Sequence, residues 1–292
     1  MCVAFLVLGG IVALANTLLS EGDAAPGVGS SAGSGTASDT ADGQAEGAGG
    51  TLSPSDSSSS ETQVTAAPIQ LPAELLILGD SDVGTYAPPL QRLLDPTGVV
   101  RTRFEYRTSS GLARPDYFDW PTHMRTLVDL IEPQIVMVTF GGNDGQALRS
   151  VDGGTVVGTN PGQGLDDSAW KAEYGRRVGE VMDYLTADGR LLVWVGIPND
   201  DEPVNTARMA VQDAVVREQA ALRDRVTYVD VWTLFSAPGG GWTERIVDPR
   251  DGVSKDVRRD DGFHLNDTGA EILADVLDDV VMEQLRLLGA QV

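Results

Sequence analysis

From about Leu71 onward, short continuous apolar runs alternate with longer stretches in which apolar residues return every three or four positions. Glu74–Asp80 (ELLILGD), Gln134–Phe140 (QIVMVTF), Arg190–Ile197 (RLLVWVGI) and Val226–Val231 are of the first kind, the pattern of strands buried on both faces. Val99–Arg107 alternates apolar and polar residues with the period of a strand. The helix-period stretches predict helices over about Thr85–Leu94, Tyr117–Ile131, Ser168–Ala187, Asn205–Arg223 and Thr268–Leu287, with Pro133 marking the end of the second. Strands separated in this way by helices predict an α/β fold: a three-layer α/β/α sandwich with a central parallel sheet, spanning residues 71–292. Ligands of such sheets bind beyond the carboxyl ends of the strands, so the chemistry is sought there.

The first seventy residues follow another pattern. Val3–Leu19 is almost wholly apolar, and Ala13-Leu14-Ala15 has the small-x-small form of a cleavage site. Residues 1–20 are therefore expected to be a signal peptide or membrane anchor, although no Lys or Arg precedes the apolar stretch. Residues 21–70 are rich in Gly, Ser and Ala, with scarcely a large apolar side chain, which predicts a disordered linker. Together these segments predict a protein of the cell envelope or exterior, secreted or anchored.

The net charge of −22 disfavours nucleic acid as a partner, because phosphate backbones call for clustered Lys and Arg. A single cysteine, Cys2, excludes an intrachain disulfide and a cysteine-based zinc site. No metal or organic cofactor is implied, since paired histidines and a phosphate-binding loop are also missing from the sequence.

Polar, glycine-containing turns follow three of the predicted strands. They are Gly79-Asp80-Ser81-Asp82, Thr108-Ser109-Ser110-Gly111 and Gly141-Gly142-Asn143-Asp144. A fourth segment, Asp261-Gly262-Phe263-His264, precedes the last helix. Each is weak alone: a serine after a strand is more often a helix cap than a nucleophile. In this order the four blocks resemble the SGNH hydrolase superfamily, also called GDSL-type esterases and lipases, over about Leu71–Leu288. Within it the chain is most similar to an exported actinobacterial-type branch.

The resemblance implies the SGNH/flavodoxin-like sandwich and a serine-dependent carboxylic-ester hydrolase or O-acyltransferase. Ser81 would be the nucleophile, His264 the base that takes its proton, and Asp261 the acceptor of the other ring N–H. The backbone N–H groups of Ser81 and Gly111 and the amide of Asn143 would form the oxyanion hole. The other histidine, His123, lies mid-helix without a motif and reads as a surface or packing residue. An acylated envelope glycan, with O-acetyl groups foremost, or a small ester is the expected substrate. A catalytically idle carbohydrate-binding scaffold is the contrasting alternative.

One residue departs from the family pattern. Leu commonly follows the serine, but Asp82 stands here, and it could repel anions, raise the basicity of the histidine, or sit exposed as a first-turn helix acid. Two long segments, Gly145–Ser168 and Ser236–Asp260, leave the same edge and are candidate walls of a substrate cleft. Trp120 and Trp242 are candidates for stacking on sugar rings, packing being the commoner fate.

Overall fold

A computed structural model describes residues 69–292. The expected signal or anchor segment, Cys2 and nearly all of the expected linker lie outside the described residues. In chain order the elements are β1 (Ala73–Gly79), α1 (Ser81–Leu94), β2 (Val100–Tyr106), α2 (Trp120–Ile131) and β3 (Ile135–Thr139). A small hairpin, β4 (Leu148–Arg149) and β5 (Thr155–Val157), leads to α3 (Ser168–Leu185), β6 (Leu191–Val195), α4 (Pro203–Ala221) and β7 (Val226–Val229). The short α5 (Val231–Leu234) precedes a second hairpin, β8 (Arg245–Val247) and β9 (Ser254–Asp256), and α6 (Asp267–Leu287) closes the chain.

Five strands make one parallel sheet in the order β2-β1-β3-β6-β7. Alternation along β1 explains the layers. Leu75 and Ile77 pack with Val83, Tyr86 and Leu90 of α1 and with Ile272, Leu277 and Val281 of α6. Leu76 and Leu78 face the other way, toward Trp120 and Met124 of α2, Tyr174 and Val178 of α3, and Val215 of α4. Both faces of β1, β3 and β6 are covered, so these strands are apolar almost throughout, whereas the edge strand β2 keeps its alternation; the predicted three-layer α/β/α sandwich is what forms. Truncating one such leucine to alanine is expected to cost about 2–5 kcal/mol.

The strand order reverses between β1 and β3. The chain moves outward from β1 to β2, then crosses back over β1 to place β3 on its other side. This is the topological switch point at which open α/β sheets bind ligands, and the turns after β1 and β3 meet there.

Helix starts differ from the periodicity by a few residues. α1 begins at Ser81 rather than near Thr85, because the Asp80 side chain accepts the Asp82 N–H and caps the helix. α2 begins at Trp120 rather than Tyr117, with Asp119 as cap and Pro121 in its first turn.

Candidate active site

The nucleophile candidate is placed by the end of β1. Gly79 has φ +156°, and a Cβ there would overlap the Thr139 carbonyl of the neighbouring strand. Glycine thus lets β1 and β3 stay in register up to their turns. Asp80 ties the turns together: Oδ1 accepts from the Asp82 N–H (3.1 Å) and Oδ2 from the Gly141 N–H (3.2 Å). Burial, and next the charge of Asp82, push the Asp80 carboxyl well above its ordinary value. Ser81 is then the first residue of α1, where backbone N–H groups have no intrahelical acceptor.

The turn after β2 is held from beneath by Asp144. Its Oδ2 accepts from the Leu112 N–H (2.9 Å) and the Tyr174 hydroxyl (2.8 Å), and Oδ1 accepts from the Ala113 N–H (2.8 Å). Gly111 lies so close that a Cβ there would overlap the Asp144 carboxylate, which requires glycine. Asn143 donates from Nδ2 to the Ser110 carbonyl (3.2 Å), so the amide and the Gly111 turn are fixed relative to each other. Ser110 is locked in turn: its hydroxyl donates to the Arg107 carbonyl (2.6 Å) and accepts from the buried indole N–H of Trp120 (2.8 Å). Trp120 is therefore a packed support of this turn and offers no face to a sugar.

The histidine lies on the segment between β9 and α6. Asp261 Oδ1 accepts from the N–H groups of Phe263 (3.0 Å) and His264 (2.9 Å), and Oδ2 lies 2.8 Å from His264 Nδ1. His264 Nε2 lies 2.8 Å from Ser81 Oγ. Partial burial raises the Asp261 carboxyl, but these hydrogen bonds outweigh it and hold it below its ordinary value. Arg258, buried beneath the segment, donates from Nη1 to the carbonyls of Asn199 (3.0 Å) and Phe263 (2.8 Å). Its Nη2 donates to Asn199 Oδ1 (2.7 Å) and the Phe235 carbonyl (2.9 Å). Trp242 adds an indole N–H to the Gly262 carbonyl (2.6 Å) from the β8–β9 side.

Ser81, His264 and Asp261 thus form one hydrogen-bonded chain, although 183 residues separate the first two. Gly111 and Asn143 are joined through Ser110 and Asp144. His123 is elsewhere, with Nε2 2.7 Å from Glu105 and its ring edge-on to Phe118 and Trp120. Asp82 is buried, unlike an exposed first-turn helix acid. The segment after Asn143 folds into the β4–β5 hairpin and walls a cleft of about 540 Å³ with Leu112, Arg125, Arg149, Arg176 and Val181, a lining that includes neither Ser81 nor His264. Tyr174, Asn199 and Arg258 carry no signal in the sequence, whereas Ser110 and Asp144 stand in the turns named above, beside Gly111 and Asn143, without a role of their own.

The family model described as "Protein of unknown function (DUF459)" matches residues 74–280. No curated protein matches the chain. Among solved structures, an acylhydrolase candidate from Bacteroides fragilis has 10% identity and a TM-score of 0.52, over 75% of this chain and 91% of that one. A GDSL-like lipase from Bacteroides thetaiotaomicron has 11% identity and a TM-score of 0.51, over 75% and 92%. At such identities the likeness is one of fold. The chain belongs to the DUF459 family and has the fold of the SGNH hydrolases.

Proposed function

We propose that this protein is a serine ester hydrolase that works outside the cytoplasm through an acyl-serine intermediate. The observation that carries the reading is the unbroken Asp261–His264–Ser81 chain, with 2.8 Å at both imidazole nitrogens. In the first step Ser81 Oγ attacks the ester carbonyl as its proton passes to His264 Nε2. Asp261 holds the Nδ1 proton and stabilises the imidazolium. The charge on the carbonyl oxygen meets the N–H groups of Ser81 and Gly111 and the Asn143 amide, donors already fixed by Asp80, Asp144 and Ser110. His264 returns its proton to the departing alcohol, leaving the acyl group on Ser81. Water then attacks the acyl-serine by the same steps in reverse. The His264 side chain is 24% exposed and that of Asp261 48%, so solvent reaches this half of the site and water has access to the acyl-serine.

The apolar stretch at Val3–Leu19 and the Gly/Ser/Ala-rich tract after it support an envelope location. O-acylated envelope glycans, foremost O-acetylated ones, are the substrates that fit that location. The test is acetate release from O-acetylated polysaccharide and from p-nitrophenyl acetate, with Ser81→Ala as control. Release that vanishes in the variant supports the reading. Equal release by both proteins refutes it, and acetyl transfer to an added polysaccharide in place of release would make the protein a transferase.

A further inference from the structure

Three carboxylates are buried around Ser81, and two spend their oxygens on the backbone. Asp80 takes the N–H groups of Asp82 and Gly141; Asp144 takes those of Leu112 and Ala113 and the Tyr174 hydroxyl. Asp82 is different. It is only 6% exposed, and its Oδ2, sealed from solvent, has no hydrogen-bond partner among the described residues. It lines a small internal space with Thr85, Tyr86, Thr139, Gly196 and Leu265, between the start of α1 and the residue after His264. A helix acid serving only the macrodipole gains that stabilisation at the surface, whereas burying a carboxylate without hydrogen bonds is costly. A leucine would fill the same position without that cost.

Nearby charges offset part of that cost. His264 attracts the Asp82 carboxylate most, Arg258 next and Arg259 less, while Asp261 on the same segment and Asp80 on the β1–α1 turn repel it; Tyr86 of α1 lines the same space. Arg258 is the counterpart of Asp82. Its hydrogen bonds go to three carbonyls and an amide oxygen, its Nε is buried without a partner, and the first attraction it feels is to Asp82, ahead of Asp200, Asp261 and Asp201. Asp82 is thus the foremost attraction on Arg258, and Arg258 the second on Asp82 after His264, without a direct ion pair between them.

We propose that Asp82 is a positioning carboxylate for His264: its buried charge, set against Arg258, holds the histidine segment over Ser81 and stabilises the imidazolium formed as the serine proton arrives at Nε2. The proposal rests on the acyl-serine reading above. No bond to Asp82 forms or breaks; the proton travels from Ser81 to His264 and on to the leaving alcohol, and Asp82 acts through its field. Burial, the largest influence, pushes the Asp82 carboxyl up to about 6. The field is therefore present above that pH and fades below it, in the range where histidines commonly take up their own proton.

The test is kcat and KM on p-nitrophenyl acetate from about pH 4.5 to 9, for the full chain and Asp82→Asn, with fluorophosphonate labelling of Ser81 in both. The wild-type acid limb, which needs no variant, should be steeper than one ionisation allows. In Asp82→Asn it should show a single ionisation, with kcat at about pH 8 lower by about tenfold and KM within about twofold. A single-ionisation limb in the wild type overturns the proposal, as does a variant that labels normally and keeps the wild-type kcat. If the wild type itself takes no label and Ser81→Ala keeps its rate, the acyl-serine reading has failed, and the role of Asp82 fails with it.

Discussion

The two halves of the site are built in different ways. The half that holds Ser81, Gly111 and Asn143 grows out of adjacent sheet strands, and its turns are tied by the fully buried Asp80 and Asp144 to backbone N–H groups and to Tyr174 of α3. The half that holds His264 is a segment of little regular structure, Val257–Asn266. It is held by the Arg258 guanidinium, by the half-exposed Asp261 and by Trp242 at its edge. The proposed oxyanion donors are thus as fixed as the core, which suits groups that must not reorganise as charge develops. His264, the proposed base, is instead positioned by a few charged and polar side chains outside the sheet.

Adjacent residues on the first half sharpen the contrast. Asn143 turns its amide toward the site, and Asn143→Ala is expected to lower kcat by about 10²–10³-fold with little change in stability. A loss under about threefold would remove Asn143 from the oxyanion hole. Asp144 faces inward. Replacing it by alanine leaves the Leu112 and Ala113 N–H groups and the Tyr174 hydroxyl without their acceptor, and urea unfolding should show a loss of about 2–4 kcal/mol, with activity falling in parallel. If Asp144→Ala lowers the rate but leaves the unfolding midpoint in place, this half is less bound to the core than its hydrogen bonds imply.

The smallest effect runs in the opposite direction. A carboxyl raised by burial from 3.8 to about 6 takes up a proton on folding between those values, so its contribution favours the folded state at low pH and is lost as pH rises through about 6. Asp82→Asn should therefore be more stable than the wild type at about pH 8, by about 1–3 kcal/mol, with the difference vanishing near pH 4. A variant both slower and more stable would mark Asp82 as a residue kept for chemistry. A variant less stable at about pH 8 would mean that the attraction to His264 and Arg258 outweighs the cost of burying the carboxylate.

Much of this was legible in the residues themselves. Buried strands show as apolar runs, and the turns after β1 and β3 stand out as glycine-rich blocks, because parallel strands covered on both faces leave polar residues only at their ends. The β4–β5 and β8–β9 hairpins left no trace, since strands of two or three half-exposed residues have no period to detect. The pairing of Asp144 with Leu112 and Ala113 spans some thirty residues and depends on β1 lying between β2 and β3. Arg258 is one of two consecutive arginines, and nothing local separates the buried one from the exposed Arg259. The burial of Asp82 was hidden for the same reason: a helix-start acid looks alike in sequence whether it is exposed or buried.

The central claim is that Ser81 is an activated nucleophile. Incubating the full chain with a fluorophosphonate probe and mapping the adduct by peptide mass spectrometry, with Ser81→Ala and His264→Ala alongside, tests it directly. One adduct on Ser81 is expected, absent from the first variant and formed at least about a hundredfold more slowly in the second. A folded protein that takes up no label, or labels equally fast without His264, would contradict it.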